Sequence, residues 1–164
     1  MPSLEQIISH PKNSFSASHF LIKFGKCDRL HGHNYHVTVQ LQYDQIDLSI
    51  PIDFRKLNNA IQQEIQLLDQ KILLPQHSPE IQILSTLKGK NWGVSVDNKY
   101  YSFPKQDVLL MDGVEQITTE NLAIYLHQKL GNWFRREGFS RLVKSLEVLV
   151  TENLGNQSKF SAPI

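Results

Sequence analysis

Apolar and polar residues alternate along several stretches of the chain. From His33 to Tyr43, the side chains of Tyr35, Val37, Val39, Leu41 and Tyr43 share one face, and Thr38, Gln40 and Gln42 share the other. That period of two predicts a half-buried strand. Residues 13–20 alternate in the same way and predict a preceding strand, and Leu146, Val148 and Val150 predict a last strand ending near Glu152. Elsewhere the apolar residues recur at helical spacing. Phe54, Leu57, Ile61, Ile65 and Leu68 form one stripe behind Asp53, a residue suited to cap a helix N-terminus. A second helix is predicted to open at Thr118-Thr119-Glu120, to carry Leu122, Leu126, Leu130 and Trp133 on one face, and to stop at Gly138. Residues 21–32, with Gly25, Gly32 and several charges, read mainly as a loop. Residues 90–103 read as a hairpin turning at Asp97-Asn98.

The order is strand, strand, helix, small β insertion, helix, strand. It predicts an α+β domain: an antiparallel four-stranded sheet with two helices on one face, plus the insertion. No repeat, low-complexity tract or linker divides residues 1–164, which read as a single domain. Such a sheet leaves open edges, and pairing of edges between copies predicts a ring-like homo-oligomer.

Composition narrows the partners. Forty per cent of the 164 residues are hydrophobic and 20% are charged, a globular balance. Seventeen basic against 16 acidic residues leave a net charge of +1, without the basic field that nucleic-acid binding requires. No apolar run approaches membrane-spanning length, and Met1-Pro2-Ser3-Leu4-Glu5 lacks the basic and apolar regions of a targeting signal. The one cysteine, Cys27, cannot form an internal disulfide, so a cytoplasmic location is expected. It is either a buried small hydrophobe or a reactive thiol.

Of the seven histidines, three stand in a useful arrangement. His31 and His33 project from the same face if the chain is extended there, and Gly32 between them has no side chain to crowd the other face. His19 lies on the preceding strand, and a hairpin-like return brings it alongside. Three neutral imidazoles leave one position of a tetrahedral zinc open, the pattern of a catalytic site. His36 has the wrong parity, and His127, within the second helix, reads as structural. Spacing alone leaves two readings: a metal site, or histidines satisfied by ordinary hydrogen bonds.

The segment Cys27-Asp28-Arg29-Leu30-His31-Gly32-His33-Asn34-Tyr35, with Phe15-Ser16-Ala17-Ser18-His19 before it, resembles the signature of the 6-pyruvoyl-tetrahydropterin and 6-carboxy-tetrahydropterin synthase family. Ile52-Asp53-Phe54, Leu68-Asp69, Thr118-Thr119-Glu120-Asn121-Leu122-Ala123 and Glu152 follow in family order, whereas residues 75–116 match nothing in the pattern. The resemblance implies the T-fold, assembly into trimers or hexamers, and action on 7,8-dihydroneopterin triphosphate or a close relative at sites between subunits. It also implies Zn2+ held by His19, His31 and His33, a catalytic thiol at Cys27, and a carboxylate, Glu152, that grips the pterin ring edge beside Thr118 and Thr119. A carboxylate can offer a guanidine-like edge two hydrogen bonds at once, although a glutamate at a strand end is ordinarily just solvated. A cation next to Cys27 would favour thiolate. Lys23, Lys26 and Arg29 are candidates to meet the triphosphate.

The family pattern Asp-His is Asp69-Gln70 here. Glutamine can hydrogen-bond but does not exchange a proton near neutral pH, so the usual relay partner of the cysteine is missing. His77 could substitute, Asp69 and Cys27 could suffice with water, or the chain could bind zinc and pterin without turnover. The expected activity is a lyase that eliminates triphosphate and yields a 6-substituted tetrahydropterin. The 6-carboxy product, a precursor for queuosine and other 7-deazaguanine nucleosides, is favoured over the 6-pyruvoyl product. The alternative is a non-catalytic binding homologue.

Overall fold

The longest strand, β3 (His31–Tyr43), is the spine of the molecule. Its period of two is real: Tyr35, Val37, Val39 and Leu41 are buried while the residues between them are half-exposed or exposed. Burying such side chains is worth about 1.5–3 kcal/mol each. β1 (Leu4–Ile8) and β2 (Ser14–His19) lie end to end along one edge of β3, β1 beside residues 39–43 and β2 beside residues 31–36. On its other edge β3 pairs with β9 (Val143–Asn153), which turns back through Gly155 into β10 (Asn156–Ala162). In a computed structural model that describes residues 4–43, 52–153 and 155–164, β4 (Lys71–Pro75) and β8 (Val108–Met111) complete the main sheet. Met1–Ser3, part of the segment read above for a targeting signal, fall outside the described residues.

The helices form where the apolar stripes place them. α1 (Phe54–Gln66) starts at Asp53, whose carboxylate accepts the Arg55 N–H at 2.8 Å, and buries Leu57, Ala60, Ile61 and Ile65. α2 (Thr119–Arg136) starts at Thr118, whose hydroxyl accepts the Asn121 N–H at 3.3 Å. It buries Leu122, Leu126, Leu130 and Phe134 and ends before Gly138, which takes a left-handed φ of +77°. Both helices cover the same face of the sheet, and their stripes form one core with Phe15, Val37, Val39, Leu146 and Val148.

The sheet departs from the expected antiparallel four-stranded form. Among the described residues it has seven strands, and the β2–β4 and β4–β8 pairings are parallel. The reason these strands escaped the pattern is their surroundings. Leu73 of β4 joins the helix-side core, and Leu74 joins a second core on the opposite face. A strand buried on both faces shows no polar alternation. The second core is built against a three-stranded accessory sheet of β5 (Ile81–Thr86), β6 (Asn91–Val96) and β7 (Lys99–Pro104). The β6–β7 hairpin turns at Asp97-Asn98 as expected, with Asp97 at φ +54°, and β5 adds a strand the pattern did not suggest. The class is therefore α+β, with the helices on one face and the accessory sheet on part of the other.

Candidate active site

The histidines belong to the same faces of β2 and β3 as the core, continued past its end. Phe15, Ala17 and His19 on β2 alternate with outward residues, as do His31, His33 and Tyr35 on β3. The register sets His19 directly opposite His31, Ala17 opposite His33 and Phe15 opposite Tyr35. Side-chain nitrogens of His19, His31 and His33 all lie within 4.8 Å of one another. Gly32 lies between the two histidines of β3, where a Cβ would be crowded, 3.2 Å from the Ala17 carbonyl and 3.3 Å from Ser18 Oγ.

Backbone carbonyls orient two of the rings. His19 Nδ1 donates to the Ile117 carbonyl at 2.7 Å, and His31 Nδ1 donates to the Arg29 carbonyl at 2.6 Å. Carbonyls only accept, so the proton in each bond is on Nδ1 and Nε2 is turned away from it; at His19 that nitrogen lies 3.4 Å from the Tyr35 hydroxyl. His33 Nε2 is buried and without a hydrogen-bond partner; Glu152 Oε1 comes to 3.1 Å but not in hydrogen-bonding geometry. A buried imidazole nitrogen without a hydrogen bond among the described residues, in a cluster of three histidines, suits a cation better than an apolar contact. His19 is held neutral, its pKa lowered from 6.5 to about 4, first by burial and then by the neighbouring His31 and His33. Neutral imidazole is the form that ligates a metal.

Around this cluster stand other sequence-nominated residues. Glu152 follows Val148 and Val150 on the core face of β9, which brings its carboxylate to His33. Thr118 and Thr119 open α2 next to Ile117, the residue that holds His19; Thr119 Oγ1 also meets Ser158 Oγ at 2.7 Å. Cys27 is exposed on a short 3-10 turn, Gly25–Asp28, within the connection whose ends are His19 and His31. Lys26 and Arg29 are exposed beside it, whereas the Lys23 ammonium is paired with Glu80 at 2.5 Å.

Asp69, Gln70 and His77 stand elsewhere. Asp69 Oδ1 accepts the Ser16 N–H at 2.8 Å, and the Gln70 N–H donates to the Ser16 carbonyl at 2.7 Å. Ser16 lies three residues before His19 on β2, about 10 Å along an extended strand. Gln70, at φ +58°, lines a polar crevice with Ser16, Asn34 and Asp107. His77, largely exposed, has Nε2 at 3.5 Å from Asp112 Oδ1. His36 bonds Ser9 on the reverse face, and His127 reaches the Ala162 carbonyl at 3.3 Å, which makes it structural as read.

Two kinds of contributor were not visible in the sequence. The carbonyls of Ile117 and Arg29 carry no residue-type signal. Tyr35 stands in the core pattern and in the family signature without an assigned role, yet its hydroxyl lies 3.4 Å from His19 Nε2, and burial, aided by Glu152, raises its pKa. The arrangement can hold a divalent cation with an open position, place a carboxylate beside it, and present a thiol on the adjoining loop.

The sequence model described as 6-pyruvoyl tetrahydropterin synthase matches residues 9–162. A provisionally named 6-carboxy-5,6,7,8-tetrahydropterin synthase of Methanocaldococcus jannaschii is 29% identical over 147 residues, 89% of this chain and 88% of its own. One from Pyrococcus abyssi, also provisionally named, is 27% identical over 118 residues, 71% and 68% of the two chains. The crystal structure of 6-pyruvoyl tetrahydropterin synthase from Plasmodium vivax superposes with a TM-score of 0.89 at 26% identity, over 100% of both chains. No helix among the described residues is long and apolar enough to cross a membrane.

Proposed function

The chain belongs to the 6-pyruvoyl tetrahydropterin synthase family, and from that premise we propose that it is a zinc-dependent lyase acting on 7,8-dihydroneopterin triphosphate. The observation that carries the reading is the cluster of His19, His31 and His33, with two Nε2 lone pairs oriented by carbonyls and a third nitrogen left unpartnered. Zinc bound there would supply Lewis acidity toward the oxygens of the substrate side chain.

The chain's own residues divide the remaining work. Glu152 accepts the amino and ring N–H groups of the pterin, with Thr118 and Thr119 beside it at the start of α2. Cys27 is the general base that takes a proton from a side-chain carbon, and the loss of that proton drives elimination of triphosphate. Lys26 and Arg29 flank the thiol and suit the leaving phosphates. Asp69 is bonded to Ser16 and stands away from the cluster of its own chain. That placement fits a site completed between copies, in which Asp69, Gln70 or His77 of one protomer would serve the thiol of another. The open edges at β10 and β8 fit a trimer or hexamer. Residues 1–164 make one such domain, working in the cytoplasm on a small pterin.

The 6-carboxy product is preferred on the names of the two archaeal relatives. Gln70 favours one other reading, a homologue that binds zinc and pterin without turnover. Mass analysis of the pterins formed from 7,8-dihydroneopterin triphosphate separates these. A 6-carboxy mass with acetaldehyde supports the first, a 6-pyruvoyl mass replaces it with the sister product, and intact bound substrate selects the binding homologue.

A further inference from the structure

We propose that Lys99, at the tip of the accessory β6–β7 hairpin, is a positioning residue that sets the Cys27 turn relative to the histidine cluster. This rests on the reading of Cys27 as the proton-transfer thiol.

The turn is poorly supported by its own residues. Gly25–Asp28 buries no side chain, and its N-terminal residue, Phe24, makes no side-chain cap. Its internal backbone bonds are long, 3.3 Å from Cys27 N–H to the Phe24 carbonyl and 3.4 Å from Arg29 N–H to the Lys26 carbonyl, and the local ties beside them are the Leu21 N–H on the Cys27 carbonyl at 2.8 Å and the Phe24 N–H on the Asp28 carboxylate. A segment with so few buried contacts opens easily unless it is tied from outside. The ties come largely from the accessory sheet. Lys99 Nζ donates to the Asp28 carbonyl at 2.8 Å in a partly buried bond, one residue from the thiol. Phe20 and Ile22, at the start of the same connection, are buried with Val94 and Val96 of β6, and Phe20 stacks on Tyr101 of β7 with ring centroids 5.5 Å apart. Lys23 is bound to Glu80 just before β5. From the helix side, Gln116 bonds both the N–H and the carbonyl of Ile22, at 3.0 and 3.3 Å.

Residues 81–104 thus form a platform under the loop that begins at His19 and ends at His31. Lys99 is the platform's direct contact with the turn itself.

The test uses the zinc-loaded full-length protein and its Lys99→Met and Lys99→Arg variants. Because Cys27 is the chain's only cysteine, alkylation by iodoacetamide reports that thiol alone. Lys99→Met is expected to lower kcat for 7,8-dihydroneopterin triphosphate roughly tenfold with KM changed less than about twofold. It should also raise the alkylation rate of Cys27 at fixed pH, because a turn released from Lys99 opens more often, and Lys99→Arg should restore both. Should Lys99→Met fail to fold, Lys99→Gln, which keeps a neutral donor, is read by the same measurements. A neutral variant without the Lys99 ammonium that keeps the wild-type kcat and alkylation rate overturns the proposal. If the wild-type protein shows no turnover, the lyase reading fails, and the alkylation rate still decides whether Lys99 holds the turn.

Discussion

His19 and His31 face each other across β2 and β3 with ring centroids 4.5 Å apart, and each gives its Nδ1 proton to a carbonyl outside the strand pair. The Ile117 carbonyl that receives the His19 proton immediately precedes Thr118, the N-cap of α2. The start of a helix and the tautomer of a candidate ligand are therefore coupled through one peptide unit.

That coupling gives a first prediction. Thr118→Ala should cost about 1 kcal/mol through the lost cap, which corresponds to a fall of roughly 2–4 °C in Tm for a chain of this size. It should also weaken zinc binding by roughly tenfold, because the carbonyl that orients His19 loses its anchor. Zinc titration by competition with a chelator checks this. An unchanged zinc affinity alongside a lowered Tm would separate the helix from the metal site.

Glu152→Gln tests the pterin contact. It preserves shape and removes the charge proposed to receive the ring-edge N–H groups. Pterin affinity should drop about tenfold to a hundredfold, with zinc content intact. Fluorescence titration with 7,8-dihydroneopterin measures the first quantity and metal analysis the second. Loss of zinc in this variant would mean that Glu152, 3.1 Å from His33 Nε2, serves the metal instead.

Gln70→His restores the proton-exchanging group of the family pattern. The site tolerates it: Gln70 already holds φ +58°, a conformation in which histidine is among the better-suited residues. Turnover should rise, and its pH profile should gain a limb near the ordinary histidine pKa of about 6.5. A kcat and profile identical to wild type would show that position 70 takes no part in proton transfer.

Metal-free protein should lose stability in mild acid. Burial lowers the pKa of His19 from 6.5 to about 4, and lowers that of His127 as well. The unfolded chain therefore takes up protons on these rings before the folded chain does, so stability falls as pH drops from about 6.5 toward 4 and is complete above that window. For His19 the effect is at most about 3 kcal/mol. Urea unfolding of chelator-treated protein at pH 7 and pH 5 measures it. Equal stability at both values would mean His19 titrates normally.

Much of this was legible from residue pattern. The parity that runs from His31 through Leu41 along β3 correctly put two histidines on the core face, and Asp53, Thr118 and Gly138 marked helix ends because caps need those residue types. β4 and β8 were not legible, since Leu73 and Leu74 point into different cores and leave no polar alternation. The carbonyls of Ile117 and Arg29 belong to any residue, so no side-chain reading could nominate them. Asp69 was nominated by resemblance, and its bond to the Ser16 N–H became visible only once α1 had returned the chain to the edge of β2.

The central claim is that the three-histidine cluster and Cys27 act together on 7,8-dihydroneopterin triphosphate. Triphosphate release should be measured for chelator-treated and zinc-reconstituted protein, each with Cys27 and with Cys27→Ala. Release only from the zinc-reconstituted protein that retains Cys27 is the predicted result. Release that persists without zinc or without the thiol, or no release from zinc-loaded wild type that still binds the pterin, would contradict it.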